Sequence, residues 1–291
     1  MFDFTLLEGP AGAFFAFLWG SIWGSFTNVV IYRLPRGESV IWPGSHCMSC
    51  NHNLGALDNI PVFSYIFLRG RCRYCHKPYS IRYALIELLS GLVSVGIFLR
   101  FQSLGGTSLL LQFACNFVFA QTLIALSFID WDTFIIPDII VVPLALLSLI
   151  YGSYYTSFYQ SLGGMVLGGG LFAMITFYYR YVRKKEGLGL GDAKLLAALG
   201  AFLGVYNIVY IILLASIQGL LFAVIASIFK LKWPKPLPYK GITDDEDYEE
   251  ELFADSDKWS LQPLPFGPFL SLAALEIIIF FPFFNLQLFS V

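Results

Sequence analysis

The chain has 291 residues, of which 57% are hydrophobic and 13% charged, against about 25% charged in an average soluble domain. Its mean hydropathy is +0.69, which excludes a large soluble domain and implies an integral membrane protein. The formal net charge of -2 leaves no electrostatic basis for bulk polyanion binding, so no nucleic-acid partner is expected.

The chain opens Met1-Phe2-Asp3-Phe4, without the basic start of a signal peptide. No small-residue cleavage site follows the first apolar stretch, so 12–31 reads as a retained span. A spanning helix needs about 20 apolar residues. Further candidates are 83–101, 109–129, 139–155, 162–181, 193–205, 208–229 and 265–284. The sixth is short and could merge with the seventh, but Gly200, Gly204 and Asn207 offer a break. The expectation is therefore an all-α polytopic membrane protein with about eight transmembrane helices, or seven if those two merge. Five regions follow from this: a first helix over 1–32, a polar loop over 33–82, a membrane core over 83–229, an acidic loop over 230–262 and a last helix over 263–291.

Lys and Arg in short loops set orientation. Arg33, Arg36, Arg69, Arg71, Arg73, Lys77 and Arg82 lie between spans one and two. Arg180, Arg183, Lys184 and Lys185 lie between spans five and six, and Lys230, Lys232 and Lys235 follow span seven. The opposite loops hold little besides Arg100. Both termini are thus expected outside, with the 33–82 loop, Asp130 and Asp192 on the cytoplasmic face. The like-charge block over 244–251 is expected to be a solvated linker.

The 33–82 loop holds four of the five cysteines, as Cys47-Met48-Ser49-Cys50, a gap of 21 residues, and Cys72-Arg73-Tyr74-Cys75. Two CxxC knuckles at that spacing can close a tetrahedral zinc-ribbon-like site, from which a short polar loop gains folding free energy. A reducing cytoplasm favours structural zinc over disulfides. Redox cysteines and unligated thiols are the alternatives. His46, His52 and His76 read as loop histidines rather than ligands. Cys115, mid-span, reads as a small buried apolar residue.

Acids at the ends of membrane-length segments are costly unless they do something. Asp130 and Asp132 lie at the end of span three; Asp192 starts span six. Each alone could be an interfacial acid or a helix cap. On a helix, Asp130 and Asp132 point in different directions and cannot work together. Gly187, Gly189 and Gly191 disfavour helix and let backbone approach a substrate strand or a neighbouring helix. Two carboxylates sharing a proton can act as base and acid on a peptide bond. Asp192 with Asp130 or Asp132 therefore suggests an aspartyl protease. No membrane-embedded histidine supports a serine-type triad. The competing reading is a zinc-stabilised membrane scaffold or transporter whose aspartates bind ions.

Six stretches in order then carry a resemblance. They are Gly24-Ser25-Phe26-Thr27-Asn28 through Pro35, the CxxC knuckles with Asp58-Asn59-Ile60-Pro61 between them, Glu87-Leu88-Leu89-Ser90-Gly91, Asp130 with Ile136-Pro137-Asp138, Gly189-Leu190-Gly191-Asp192, and Pro265-Phe266-Gly267-Pro268. The chain resembles the bacterial type IV prepilin peptidases, prepilin leader peptidase/N-methyltransferases of the GxGD type. The resemblance implies that Asp130 and Asp192 are the catalytic pair. It implies prepilin or pseudopilin substrates, cut on the cytoplasmic side of the bacterial inner membrane after a leader-ending glycine. It also implies S-adenosylmethionine-dependent methylation of the new N-terminal amine, assigned to the first region with its loop. No Gly-rich dinucleotide signature marks a donor site, so methylation rests on resemblance; Glu87 is a candidate residue. A peptidase without methylation is the alternative. Ala84 stands where the family usually has proline, and the 244–251 block enlarges a loop.

Overall fold

The computed structural model describes residues 9–104, 109–183, 189–230, 237, 239 and 264–280. Its helices are α1 (Pro10–Arg33), α2 (Phe63–Phe67), α3 (Arg82–Leu104), α4 (Leu109–Thr133), α5 (Asp138–Tyr155), α6 (Phe158–Tyr178), α7 (Leu190–Leu203), α8 (Asn207–Ile228) and α9 (Gly267–Phe280). A π turn, Tyr179–Arg183, extends α6. Among the described residues the only extended pairing is two isolated bridges. The block at 244–251 and Gly187 lie outside the described residues.

The all-α membrane architecture matches expectation, and the count of about eight spans is not confirmed. Among the described residues six helices are long and apolar enough to cross a bilayer: α1, α3, α4, α5, α6 with its π turn, and α8. Helix α7 has 14 residues, about 21 Å at 1.5 Å per residue, short of a hydrocarbon core about 30 Å thick; α9 has 14 among the described residues. Helix α7 ends at Gly204, whose φ of 85° breaks it from α8. It can be short because it is enclosed: it packs on α5, α6, α8 and α9. Leu195, Leu196, Ala198, Leu199 and Ala201 are each 0% exposed.

The chain divides into two compact units at Gln121 and Thr122. In the first, α1 lies along α3 through small residues. A Cβ on Gly20 would stand 2.5 Å from the Ser90 carbonyl, and one on Gly24 would stand 2.8 Å from the Glu87 Cα. Lipid tails are as apolar as side chains, so helices in a bilayer associate through close van der Waals packing, which a small-xxx-small stripe permits. The second unit repeats the device. Gly164 of α6 and Gly200 of α7 meet backbone to backbone, and a Cβ on Gly168 would stand 2.7 Å from the Leu196 carbonyl. The Ser161 hydroxyl donates to the Ala201 carbonyl at 2.6 Å, tying the same helices.

Candidate active site

Asp130 lies in the last turn of α4 and is 4% exposed. The Thr133 hydroxyl donates to the Ile129 carbonyl at 2.8 Å. Phe134 then adopts φ 56°, and its N–H donates to the Asp130 carbonyl at 2.8 Å. That reversal sends Ile136 and Pro137 back toward the Asp130 side chain before α5 begins. Because α4 runs through Thr133, Asp130 and Asp132 lie about 200° apart around it. Asp130 is buried while Asp132 is half-exposed.

The other walls come from far along the chain. Gly267, first residue of α9, donates its N–H to Asp130 Oδ2 at 3.1 Å, across 137 residues. A Cβ there would stand 2.6 Å from the same oxygen and 3.1 Å from Ile136 Cδ1. Gly191, in the first turn of α7, faces Ile136 from another side; its Cβ would stand 3.0 Å from the Ile136 Cβ. Ile136 thus wedges between the starts of α7 and α9. Asp192 follows Gly191 in that first turn, so it sits at the helix end that closes on Ile136, which in turn lies against Gly267 beside Asp130. The structure therefore brings Asp130 and Asp192 together, 62 residues apart in sequence, and leaves Asp132 out.

The two glycines differ. Gly191 is required by the close approach to Ile136. Gly189 is the residue before α7, exposed and extended at φ -66° and ψ 138°. Sequence reasoning missed two partners. One is the Gly267 N–H, whose signal was a glycine next to proline opening a helix. The other is Lys194, whose Nζ lies 2.6 and 2.8 Å from the two carboxylate oxygens of Asp138, joining the starts of α7 and α5.

In the first unit the four thiols of Cys47, Cys50, Cys72 and Cys75 lie within 4.8 Å of one another. Cys47 and Cys75 sulfurs are 3.8 Å apart. A tetrahedron with zinc–sulfur bonds of about 2.3 Å requires sulfurs about 3.8 Å apart, so the set fits that ion. The knuckles share one pattern. Cys47 N–H donates to the His52 carbonyl and Cys72 N–H to the Lys77 carbonyl; Asn51 and His76 take φ 55° and 56° at matching positions. The Ser49 N–H, 3.4 Å from the Cys47 sulfur, leads the bonds that bring this thiol down to about 6. A thiolate is the form that binds metal. The histidines do other things: His46 Nδ1 meets the Gly44 carbonyl at 3.0 Å, His52 stacks on Tyr74, and His76 is exposed. Cys115 is a free, half-buried thiol on α4.

A buried Asp130 and a half-buried Asp192 at helix ends, with apolar membrane-length helices and a four-cysteine cluster on a polar loop, define a polytopic membrane protein with a two-aspartate site. Residues 18–101 match the bacterial peptidase A24 N-terminal domain, and residues 117–224 match the type IV leader peptidase family. A prepilin leader peptidase/N-methyltransferase of Myxococcus xanthus is 32% identical over 95% of this chain and 92% of its own. Proteins of that name from Aeromonas hydrophila and Dichelobacter nodosus are each 33% identical, over 88% and 80% of this chain and 87% and 89% of theirs. The chain belongs to the type IV leader peptidase family. No solved structure matches it significantly.

Proposed function

We propose that this protein is a membrane aspartyl endopeptidase that removes the leader of type IV prepilins or pseudopilins and then N-methylates the new amine with S-adenosylmethionine. The observation that carries the cleavage half is the gathering of buried Asp130 and the α7 start with Asp192 around Ile136 and Gly267, from separate helices. The relatives' name, prepilin leader peptidase/N-methyltransferase, supports both halves.

The helix ends suggest the division of labour. A negative charge is stabilised at a helix N-terminus and opposed at a C-terminus. Asp192 is in the first turn of α7 and Asp130 in the last turn of α4. Asp192 is thus the ionised base that takes a proton from water. Asp130 is the protonated acid that polarises the scissile carbonyl. The Gly267 N–H occupies Oδ2 of Asp130, which leaves the proton on the other oxygen. Water oxygen bonds to the carbonyl carbon as Asp192 takes its proton and the carbonyl oxygen takes the Asp130 proton; the carbon–nitrogen bond of the diol then breaks, the Asp192 proton passes to the departing amine, and one diol proton returns to Asp130 as the carbonyl re-forms. The exposed extended backbone at Gly189, with Gly191 behind it, receives the peptide as an added strand.

Cys47, Cys50, Cys72 and Cys75 would hold a structural zinc. All four positions of the ion would be filled by protein, so it supplies folding free energy and no chemistry. The Lys and Arg of the loops support a cytoplasmic location for the 33–82 loop and for the aspartates, and the relatives' name supports the bacterial inner membrane.

The test is co-expression with a prepilin. Asp130→Asn and Asp192→Asn should each abolish cleavage at unchanged protein level. Cutting by both variants would sink the protease reading and favour ion-binding aspartates.

A further inference from the structure

The 33–82 loop is polar in composition, yet Ile41, Trp42, Ile66 and Phe67 stand out from it, with Trp42 76% and Phe67 80% exposed. A lone exposed apolar residue is ordinary; a connected patch marks an interaction surface. Helix α2 is built to present one. Phe63, Ile66 and Phe67 fall at i, i+3 and i+4, one helical face, and all three are exposed. Ser64, Tyr65 and Leu68 line the inner side, toward α1 and α3, where Tyr65 packs edge to face on Tyr79 at 5.3 Å. Left-handed residues turn the chain into and out of α2, Val62 at φ 65° and Arg69 at φ 52°. A β-branched residue almost never takes that conformation, and it persists only where the surroundings impose it. Here the Val62 N–H donates to Glu87 Oε2 of α3 at 2.7 Å. The outward face of α2 is therefore held in place.

These residues lie beside the spans, not beyond them. Glu87 stands five residues past the start of α3 at Arg82, about 7.5 Å along the helix. Ile41, Pro43 and Pro61 share an open groove of about 280 Å³ with Ile22, Phe26 and Val29 of α1. Ile22 lies eleven residues before the end of α1 at Arg33, about 16 Å at 1.5 Å per residue. Ile22 and Phe26 are themselves exposed on a membrane-length helix, so lipid is what meets them. The groove is continuous with that lipid-facing side of α1, and Pro61 leads straight from it into α2. Charge points the same way. Residues 33–82 hold seven Lys and Arg against two acids, Glu38 and Asp58, and Asp58 is already paired with Arg73. Arg69 and Arg71 follow α2 and are exposed. An apolar face that carries a tryptophan and is flanked by basic residues suits an anionic bilayer surface.

We propose that the cysteine loop is seated on the bilayer: Ile41, Trp42 and the outer face of α2 enter the headgroup–acyl boundary of an anionic leaflet, and a phospholipid chain fills the groove beside α1. Arg69 and Arg71 then lie at the headgroups. The loop has two separate anchors, the thiol cluster that closes its knuckles and the leaflet that fixes its outer edge. Seating on the leaflet does not depend on the reaction at Asp130 and Asp192.

The test places the full chain, one copy per disc, in nanodiscs of phosphatidylcholine with phosphatidylglycerol. Emission of Trp42, one of six tryptophans, is read as the difference between wild type and Trp42→Phe. Lipid brominated near the headgroup should remove most of that emission, lipid brominated near the chain end less, and aqueous iodide little, as for an apolar face about 5–10 Å deep. Phe67→Trp in the Trp42→Phe chain should report the same order from α2. Omitting phosphatidylglycerol should raise iodide access at both positions; equal access with and without it would overturn the anionic leaflet as the occupant. Quenching of Trp42 by iodide as strongly as free tryptophan, with no loss to brominated lipid, overturns the seating altogether. So does shielding from both quenchers that appears only with two copies per disc, which would give the face to a second chain. Shielding that appears only on adding a prepilin peptide would give the groove to the substrate, and overturns it equally.

Discussion

The four thiols of the first unit come from two short turns, each closed by hydrogen bonds within a few residues. The aspartate site of the second unit is gathered from the ends of α4, α7 and α9, with 137 residues between Asp130 and Gly267. The cysteine loop has no sizeable apolar core, and its four thiols are set close enough to be held by a metal. The aspartate site has no crosslink; what holds it is glycine-mediated contact between helices. A locally specified site depends on ligand chemistry, whereas a globally specified one depends on packing that no single residue supplies.

The sharpest way to break this contrast is to remove a carboxylate. Asp130→Asn or Asp192→Asn should lower prepilin cleavage by about 10²–10⁴-fold or more, the range for loss of a positioned acid or base. Zinc content by metal analysis should not change. A parallel loss of metal would show that the two sites are not independent. Next comes packing. Gly164→Leu puts a side chain where the Gly200 backbone stands, and overpacking costs about 1–3 kcal/mol even where only side chains must move. Here backbone must move, so folded yield by size-exclusion chromatography should collapse. A normal yield would mean that α6 and α7 are free to separate.

The metal comes third. Cys47→Ser with Cys72→Ser should abolish bound zinc and expose the 33–82 loop to protease, with residual cleavage retained by the second unit. Metal content equal to wild type would rule out the four-cysteine site. Gly267→Ala is subtler. Its Cβ would stand 2.6 Å from Asp130 Oδ2, so the carboxylate must turn. A loss of about tenfold in kcat, or about 1.4 kcal/mol, is expected at near-normal stability. Unchanged kcat would show that the N–H contact does not position the acid.

How much was legible in the sequence follows the same divide. Cys47, Cys50, Cys72 and Cys75 were readable because ligand spacing is local. Asp130 was separable from Asp132 only by family resemblance until the helix proved to continue through Thr133. The eight-span count is not confirmed at α7, since hydropathy registers apolar residues and cannot tell lipid from a protein wall; α7 is apolar where other helices enclose it. Gly267 was noted as the opening of a helix, but its bond to Asp130 needed coordinates, because nothing in a sequence reports which helix end faces which.

The smallest effect is expected at the Lys194–Asp138 pair. It joins the start of α7 to the start of α5, two residues past Asp192, and so invites the reading that charge, not packing, positions the site. Its geometry is good, but Lys194 and Asp138 side chains are 46% and 62% exposed. Exposed pairs contribute about 0–1 kcal/mol and are screened by salt. The neighbouring backbone is already fixed, by Ile136 wedged against Gly191 and by Gly168 of α6 packed on the Leu196 carbonyl. Lys194→Met should therefore shift thermal stability by less than about 1 kcal/mol. Cleavage should stay within about threefold of wild type, with any loss shrinking as salt is raised. A salt-insensitive loss beyond about tenfold, or 1.4 kcal/mol, would transfer to this ion pair the positioning of Asp192 that the glycine contacts are here held to supply.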